Sequence, residues 1–254
     1  MGDRQAQANR SFTRAVLDSK HMISTAGRSP QDRSKIRLIW KDIADKLDLH
    51  PDQSFLDIGC GYGLLTKLCL STAKRLPLRV SLIDIPEILQ AVKTGLLPPR
   101  IRHIRYYPGT FPKNWPVGST LRFDRILAYS VLHYTSNPEH FIDRGVSLLR
   151  RGGRFLIGDI PNISRKGRFL CSDFGRRFEA RYRGTSIRQI PHYRNLQDFM
   201  NKNNANPLAH LNDCFIQQIF KRYTNCGYDV YVLAQPSGLP YCHTREDLLI
   251  VNRA

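Results

Sequence analysis

Residues 55–63 read Phe-Leu-Asp-Ile-Gly-Cys-Gly-Tyr-Gly, and no other stretch of the chain restricts the fold as strongly. A short apolar run ends in an acid, glycines follow at alternate positions (Gly59, Gly61 and Gly63), and Leu64-Leu65-Thr66-Lys67-Leu68 then has the character of a helix. A buried parallel strand, a turn tight enough to need residues without a Cβ, and a helix N-terminus together form a nucleotide cradle. A dinucleotide fingerprint needs Gly-x-Gly-x-x-Gly, whose third glycine lets the helix pack closely on the strand. Here the third glycine comes one position early and Leu64 holds its place, which speaks against NAD.

The pattern Asp57-x-Gly59-x-Gly61-x-Gly63 resembles the first motif of class I S-adenosylmethionine-dependent methyltransferases. That resemblance implies S-adenosyl-L-methionine as cofactor, held by backbone approach at the glycine turn. It covers roughly residues 30–160 and the terminal hairpin. Two further segments, residues 156–162 (Leu-Ile-Gly-Asp-Ile-Pro-Asn) and 239–250, are similar to stretches of bacterial methyltransferases of small-molecule and surface-polysaccharide pathways.

The rest of the chain continues the alternation of strand and helix. Ser29 and Pro30 read as a helix start, and Ile36, Ile39, Trp40, Ile43 and Leu47 follow at helical spacing. Further strands are expected at 78–84, 102–106, 123–129 and 154–159, with helices at 86–97 and from Asn137-Pro138 to Leu149. A helix at 213–225 precedes strands at 228–234 and 246–252, joined through a Pro/Gly loop as an antiparallel hairpin. The fold class is therefore α/β: a Rossmann-like, seven-stranded, mostly parallel sheet with helices on both faces and an antiparallel terminal hairpin. One domain spanning 1–254 is expected, with a helical N-terminal arm in residues 1–50 and a partly helical basic cap at 161–212, a segment too long for a plain connection.

In an open α/β sheet ligands bind at the carboxyl ends of the strands. Asp57 ends the first strand, and the resemblance gives it the glycine loop or the cofactor's ammonium group to orient. Asp84 ends the second, where a carboxylate can accept both ribose hydroxyls; Ile85 would lie against adenine. After the third strand, where many family members carry an Asp for the adenine amino group, this chain has Gly109 and Thr110. Tyr129 and Ser130, after the fourth strand, would run beneath the sulfonium. His133 is either a general base facing methyl and acceptor or a residue packed under the cofactor, with Asp159 and His192 as competing bases. Tyr134, Arg176 and Arg181 are expected on the acceptor side. No Asp-Pro-Pro-Tyr or Asn-Pro-Pro-Tyr run follows the fourth strand, which lowers the expectation of nucleobase amino-methylation.

Charge is the unusual global quantity. The 39 Lys and Arg against 21 Asp and Glu leave a net +18, with a dense arginine run between residues 165 and 194. Such a field attracts anions: a phosphorylated or sugar-linked small acceptor, nucleic acid, or an acidic membrane face. The six cysteines form no Cys-x-x-Cys pair and have no His partner at zinc spacing, so neither disulfide nor metal is expected. No apolar run approaches the roughly 20 residues of a membrane span, and residues 1–14 lack an apolar signal core, so a cytoplasmic location is expected. The activity expected is methyl transfer to oxygen, less readily nitrogen, of a small or medium-sized anionic or sugar-linked acceptor. RNA methylation and a catalytically inactive cofactor-binding partner subunit are the alternatives.

Overall fold

The computed structural model describes residues 34–97, 101, 103–208, 210–239 and 241–253. The predicted helix start at Ser29-Pro30 and most of the N-terminal arm lie outside them. The chain runs α1 (Ile36–Leu47), β1 (Ser54–Ile58), α2 (Leu64–Arg75), β2 (Arg79–Asp84), α3 (Pro86–Gly95), β3 (Ile104–Pro108) and β4 (Phe123–Tyr129). It continues with α4 (Pro138–Ser147), β5 (Leu149–Pro161), α5 (Ile163–Cys171), α6 (Asp173–Arg183), α7 (Leu196–Lys202), α8 (Asp213–Asn225), β6 (Asp229–Ala234) and β7 (Arg245–Val251).

The strands form a seven-stranded sheet in the order β3-β2-β1-β4-β5-β7-β6. The pairs from β3 through β5 are parallel, and β7 inserts antiparallel between β5 and β6. The strands read as continuous apolar runs because both faces are covered, yet the period of two survives in what each residue touches. Leu56, Ile126, Phe155 and Ile250 pack into one core, which Phe141, Ile142 and Ile219 of α4 and α8 complete. Phe55, Leu127, Leu156 and Leu249 pack into the other, against Ile39 and Ile43 of α1, Leu70 of α2 and Ile88 of α3.

Several expected bounds shift: α3 ends at Gly95 rather than Leu97, and α4 at Ser147 rather than Leu149. β3 lies two residues later than predicted, and β5 begins at Leu149 rather than Arg154. The residues expected to turn, 151–153, stay in the strand as an irregularity with a register shift between Phe123 and Arg125. Gly153 permits it: a Cβ there would sit 2.8 Å from the Arg150 carbonyl.

The segment between β5 and α8 is largely helical. α5 and α7 close a small core of Ile163, Leu170 and Phe199. Each helix of this cap opens on a side-chain cap: Asn162 to the Arg165 amide, Ser172 to Gly175, and Asn195 to Asp198. Asn162 also fastens the cap to the sheet, its Nδ2 donating to Glu246 Oε1 at 2.7 Å and to Asp213 Oδ1 at 2.8 Å.

A second fastening runs through Asp247, which is fully buried. Its Oδ1 accepts from the Asp159 amide at 2.8 Å and from Gln235 Nε2 at 3.1 Å, and its Oδ2 pairs with Lys46 Nζ of α1 at 2.7 Å. Removing the Asp247 carboxyl strands the buried Asp159 amide, while Lys46 keeps Asp42 at 2.5 Å. Asp247→Ala should therefore lower the unfolding free energy by about 1–3 kcal/mol, the cost of a buried group left without its partner, read by urea denaturation; an unchanged unfolding free energy would show the network to be dispensable.

Candidate functional site

The carboxyl ends of β1, β2, β4 and β5 meet at one edge of the sheet, and the glycine turn after β1 lies at its centre. Gly59 has φ +69° and donates its amide to the Ile83 carbonyl at 2.8 Å. A Cβ at Gly59 would sit 2.7 Å from Val131 Cγ2, so the turn needs glycine for both conformation and space. Thr66, in the first turn of α2, donates its hydroxyl to the Cys60 carbonyl at 2.6 Å and closes the loop from the helix side.

Asp84 takes hydrogen bonds from the Gly61 amide at 2.8 Å and from the Ile85 amide at 2.8 Å, one on each carboxyl oxygen. A carboxylate offers about four lone-pair sites, so both oxygens retain capacity for a ligand. Asp57 is buried at 5% exposure, and among the described residues no donor meets its carboxyl group. Burial, and then the neighbouring Asp84 charge, push its pKa up to about 8. Burial raises Asp84 to about 6 against the pull of the Gly61 and Ile85 amides and of the Cys60 thiol. An acid left without a donor beside a tight glycine turn fits a ligand that brings its own cationic or hydroxyl donors.

After β3, Gly109 has φ +129°, and both the amide and the hydroxyl of Thr110 bond to Asn114 Oδ1, at 2.9 and 3.2 Å. Asn114, which the sequence reading did not single out, thus holds this loop. Ile85 is half-buried at the start of α3.

Past β4, Tyr129 is buried and Ser130 adopts φ +61°, a left-handed conformation uncommon outside glycine. Asp159, at the matching place in β5, has φ +60°. Left-handed non-glycine residues side by side at strand ends are typical of functional sites. His133 and Tyr134 form a short 3-10 turn beyond, with ring centroids 4.1 Å apart. His133 Nδ1 is buried and has no partner among the described residues. Burial, and then the Arg245 charge, lower the imidazole to about 4, with Asp159 opposing. The ring is neutral at physiological pH.

The other sequence-predicted residues divide. Asp159 is 1% exposed and is ion-paired to Arg245, Nη1 to Oδ2 at 2.5 Å, so the acid faces a cation rather than an open site. His192 is exposed before α7, and no hydrogen bond or ring contact joins it to the strand-end cluster among the described residues. On α6, Arg176 lies 4.0 Å from Asp173 with its Nε buried and unpartnered, and Arg181 is exposed. The arginine run is not uniform, because several of its members hold the cap together. Arg165 bonds the Cys242 carbonyl and faces Glu246, Arg168 pairs with Asp213, and Arg183 pairs with Glu179.

Arg245, Tyr241 and Gln235, on and before β7, complete the edge. Tyr241 and Arg245 fall within the 239–250 stretch singled out in the sequence, which gave them no role; the insertion of β7 beside β5 brings Arg245 to Ser130 and Asp159. Among the described residues no group of three or more His, Cys, Asp or Glu side chains is placed to hold a metal. No helix among them is long and apolar enough to cross a membrane.

Comparison with known proteins agrees with this geometry. Residues 56–155, from within β1 into β5, match the family model described as a methyltransferase domain. Acetylserotonin O-methyltransferase of Gallus gallus is 28% identical over 106 residues, which are 39% of this chain and 30% of that protein, so the chain spans under a third of the relative's length. The plantazolicin methyltransferase BpumL, solved with a desmethyl plantazolicin analogue and SAH, superposes with a TM-score of 0.54 at 11% identity over 100% of this chain and 97% of that one. A putative methyltransferase of Haloferax volcanii, solved with the Trm112 activator, gives 0.54 at 11% identity over 96% and 98%. The fold is the Rossmann-like methyltransferase fold, and residues 56–155 match the methyltransferase-domain model.

The two raised carboxyls give a pH signature. Asp57 and Asp84 hold a proton to higher pH in the folded chain than in the unfolded one, where carboxyls titrate near 3.8. The stability they contribute is complete below that value and is lost as pH rises through about 6 and about 8. The melting temperature of the ligand-free protein should therefore fall across this window, and Asp57→Asn should flatten the upper part of the fall. A wild-type profile that the variant reproduces would show that Asp57 is ionised throughout.

Proposed function

We propose that this chain, built on a methyltransferase domain, is an S-adenosyl-L-methionine-dependent enzyme that methylates an oxygen of a small or medium-sized, anionic or sugar-linked acceptor. The observation that carries the reading is the cradle at the ends of β1 and β2. Gly59 and Gly61 turn where a Cβ could not fit or would be strained, Asp84 keeps acceptor capacity beyond its amide bonds, and Asp57 is buried without a donor among the described residues. Asp84 would take the ribose hydroxyls, Asp57 would face the ammonium end through the glycine loop, and Gly109, Thr110 and Ile85 would border the adenine. When bound, the cofactor supplies a methyl group already activated on a positively charged sulfur, so placing the acceptor in line is most of what the protein must do.

Ser130, His133 and Tyr134 stand at the end of β4, beside that cradle. His133 is the side chain best placed to receive a proton from an acceptor hydroxyl: it is neutral, and its buried Nδ1 is unspent. Asp159 is committed to Arg245, and His192 is not joined to the cluster. The similarity to an O-methyltransferase supports oxygen as acceptor. The net charge of +18 supports an anionic one and also keeps RNA as the second reading. We read residues 1–254 as one domain carrying its basic cap, and the cytoplasm as its location.

S-adenosylhomocysteine should raise the melting temperature, because a ligand that binds only the native state stabilises it by mass action, and NAD should not. Asp84→Ala should weaken the complex by roughly 1.5–3 kcal/mol, the range for a hydrogen bond to a charged group. Calorimetry showing NAD bound more tightly than S-adenosylhomocysteine would overturn the reading.

With methyl-labelled cofactor and fractionated lysate as acceptor source, His133→Ala should lower turnover by roughly 10²–10⁴ while cofactor affinity holds. Loss of turnover in the wild type should follow an acid limb near pH 4, the value to which His133 is lowered. If cofactor binding falls in step with turnover, His133 packs under the cofactor instead.

A further inference from the structure

Arg245 opens β7 and has no part in the function proposed so far. Its Nη1 donates to Asp159 Oδ2 at 2.5 Å, and lies 3.4 Å from the Asp159 carbonyl and 3.5 Å from Ser130 Oγ. Its guanidinium group stacks over the Tyr241 ring, 4.4 Å from the centroid. The ion pair is asymmetric: the Asp159 side chain is 1% exposed and that of Arg245 22%. The acid is sealed behind and the cation faces out. All of these bonds use Nη1, and among the described residues no acceptor meets Nε or Nη2.

We infer that Arg245 is an acceptor-anchoring residue, which grips a carboxylate or phosphate of the methyl acceptor through Nε and Nη2 beside Ser130 and His133. The inference rests on the methyltransferase reading above and names the residue that selects the acceptor's charge. The Nε and Nη2 edge of a guanidinium offers parallel N–H groups that match two oxygens of one oxyanion. Asp159 and the Tyr241 ring already fix the plane of the group, so binding immobilises little that was free. Arg181, exposed on α6, has no such fixing.

The same placement couples acceptor charge to the base. Among the described residues, the titratable or charged groups that face His133 are Arg245 from β7, Asp159 from β5 and Tyr134 from its own turn. The Arg245 field outweighs that of Asp159 at both His133 and Tyr134. An oxyanion seated on Arg245 offsets that field and makes His133 a stronger base when acceptor is present.

Inorganic phosphate titrated into the 254-residue chain, with and without saturating S-adenosylhomocysteine, tests this while the His133 imidazole is followed by NMR. Phosphate should shift the His133 resonance saturably and raise its pKa. Arg245→Gln should weaken phosphate binding at least tenfold and abolish the His133 response, and Arg245→Lys, which keeps charge without the fork, should fall between. Arg150→Gln, at the opposite edge of the sheet, should leave the His133 response intact. The inference is overturned if phosphate leaves wild-type His133 unmoved, or if a folded Arg245→Gln binds phosphate as the wild type does. Should Arg245→Gln not fold, the wild-type His133 response and Arg245→Lys decide the matter. Failure of S-adenosylhomocysteine to bind the wild type would sink the methyltransferase reading separately, since the phosphate titration without it still reports on Arg245.

Discussion

The Asp247 carboxylate is the constraint on which the Ser130, Asp159 and Arg245 part of the edge depends. It is fully buried in β7, and it draws together the Asp159 amide of β5, Gln235 before β7, and Lys46 of α1. A buried acid of this kind is tolerated only when its lone pairs are satisfied and a cation is near. Satisfying it fixes the irregularity between Ile157 and Ile160, where the β5–β7 register shifts and Asp159 turns to φ +60°. That turn aims the Asp159 carboxylate at Arg245, and Arg245 in turn reaches Ser130. The geometry beside His133 is thus set by a group on the far side of β5 from it.

The cradle half is built on a different principle. Its contacts are mainly backbone: the Gly59 and Gly61 amides tie to β2, and the Cys60 carbonyl ties to Thr66. Asp84 is part of the scaffold, since the Gly61 amide that bonds it belongs to the glycine turn, and on the proposed reading it would take the ligand as well. Burial leaves Asp57 and Asp84 competing for a proton, so they titrate as a pair. A ligand bearing an ammonium group would displace that proton, linking cofactor affinity to pH in the direction opposite to ligand-free stability.

Most of the sheet was legible in the sequence because its signals are local. The acid-glycine turn, Asp84 at a strand end, and Asn137-Pro138 before α4 each declare themselves within a few residues, and β4 and α8 fall at their expected bounds. The left-handed backbone at Ser130 and Asp159 was not legible, nor was the role of Arg245, because each depends on a partner about 90 to 115 residues away. The arginine run misled in part for the same reason. Composition counts charges without showing that Arg165, Arg168 and Arg183 spend theirs on Glu246, Asp213 and Glu179. The caps Asn162, Ser172 and Asn195 could have been found, since each is a small polar residue opening a helix and needs no long-range information.

These pairings also determine what kind of cover the cap is. Asn162 joins it to Glu246 and Asp213, Arg165 joins it to the Cys242 carbonyl, and Phe169 stacks on His243 with centroids 4.7 Å apart. All of these attachments lead to α8 or to the start of β7, close to Arg245. Because Cys242, His243 and Glu246, which hold the cap, flank Arg245 in the chain, an acceptor side built on that guanidinium would be preorganised by folding rather than assembled on binding. The arginines left over on α6, chiefly Arg177 and Arg181, remain exposed. On the proposed reading their field would act at longer range, raising the local concentration of anions for Arg245 to hold beside His133.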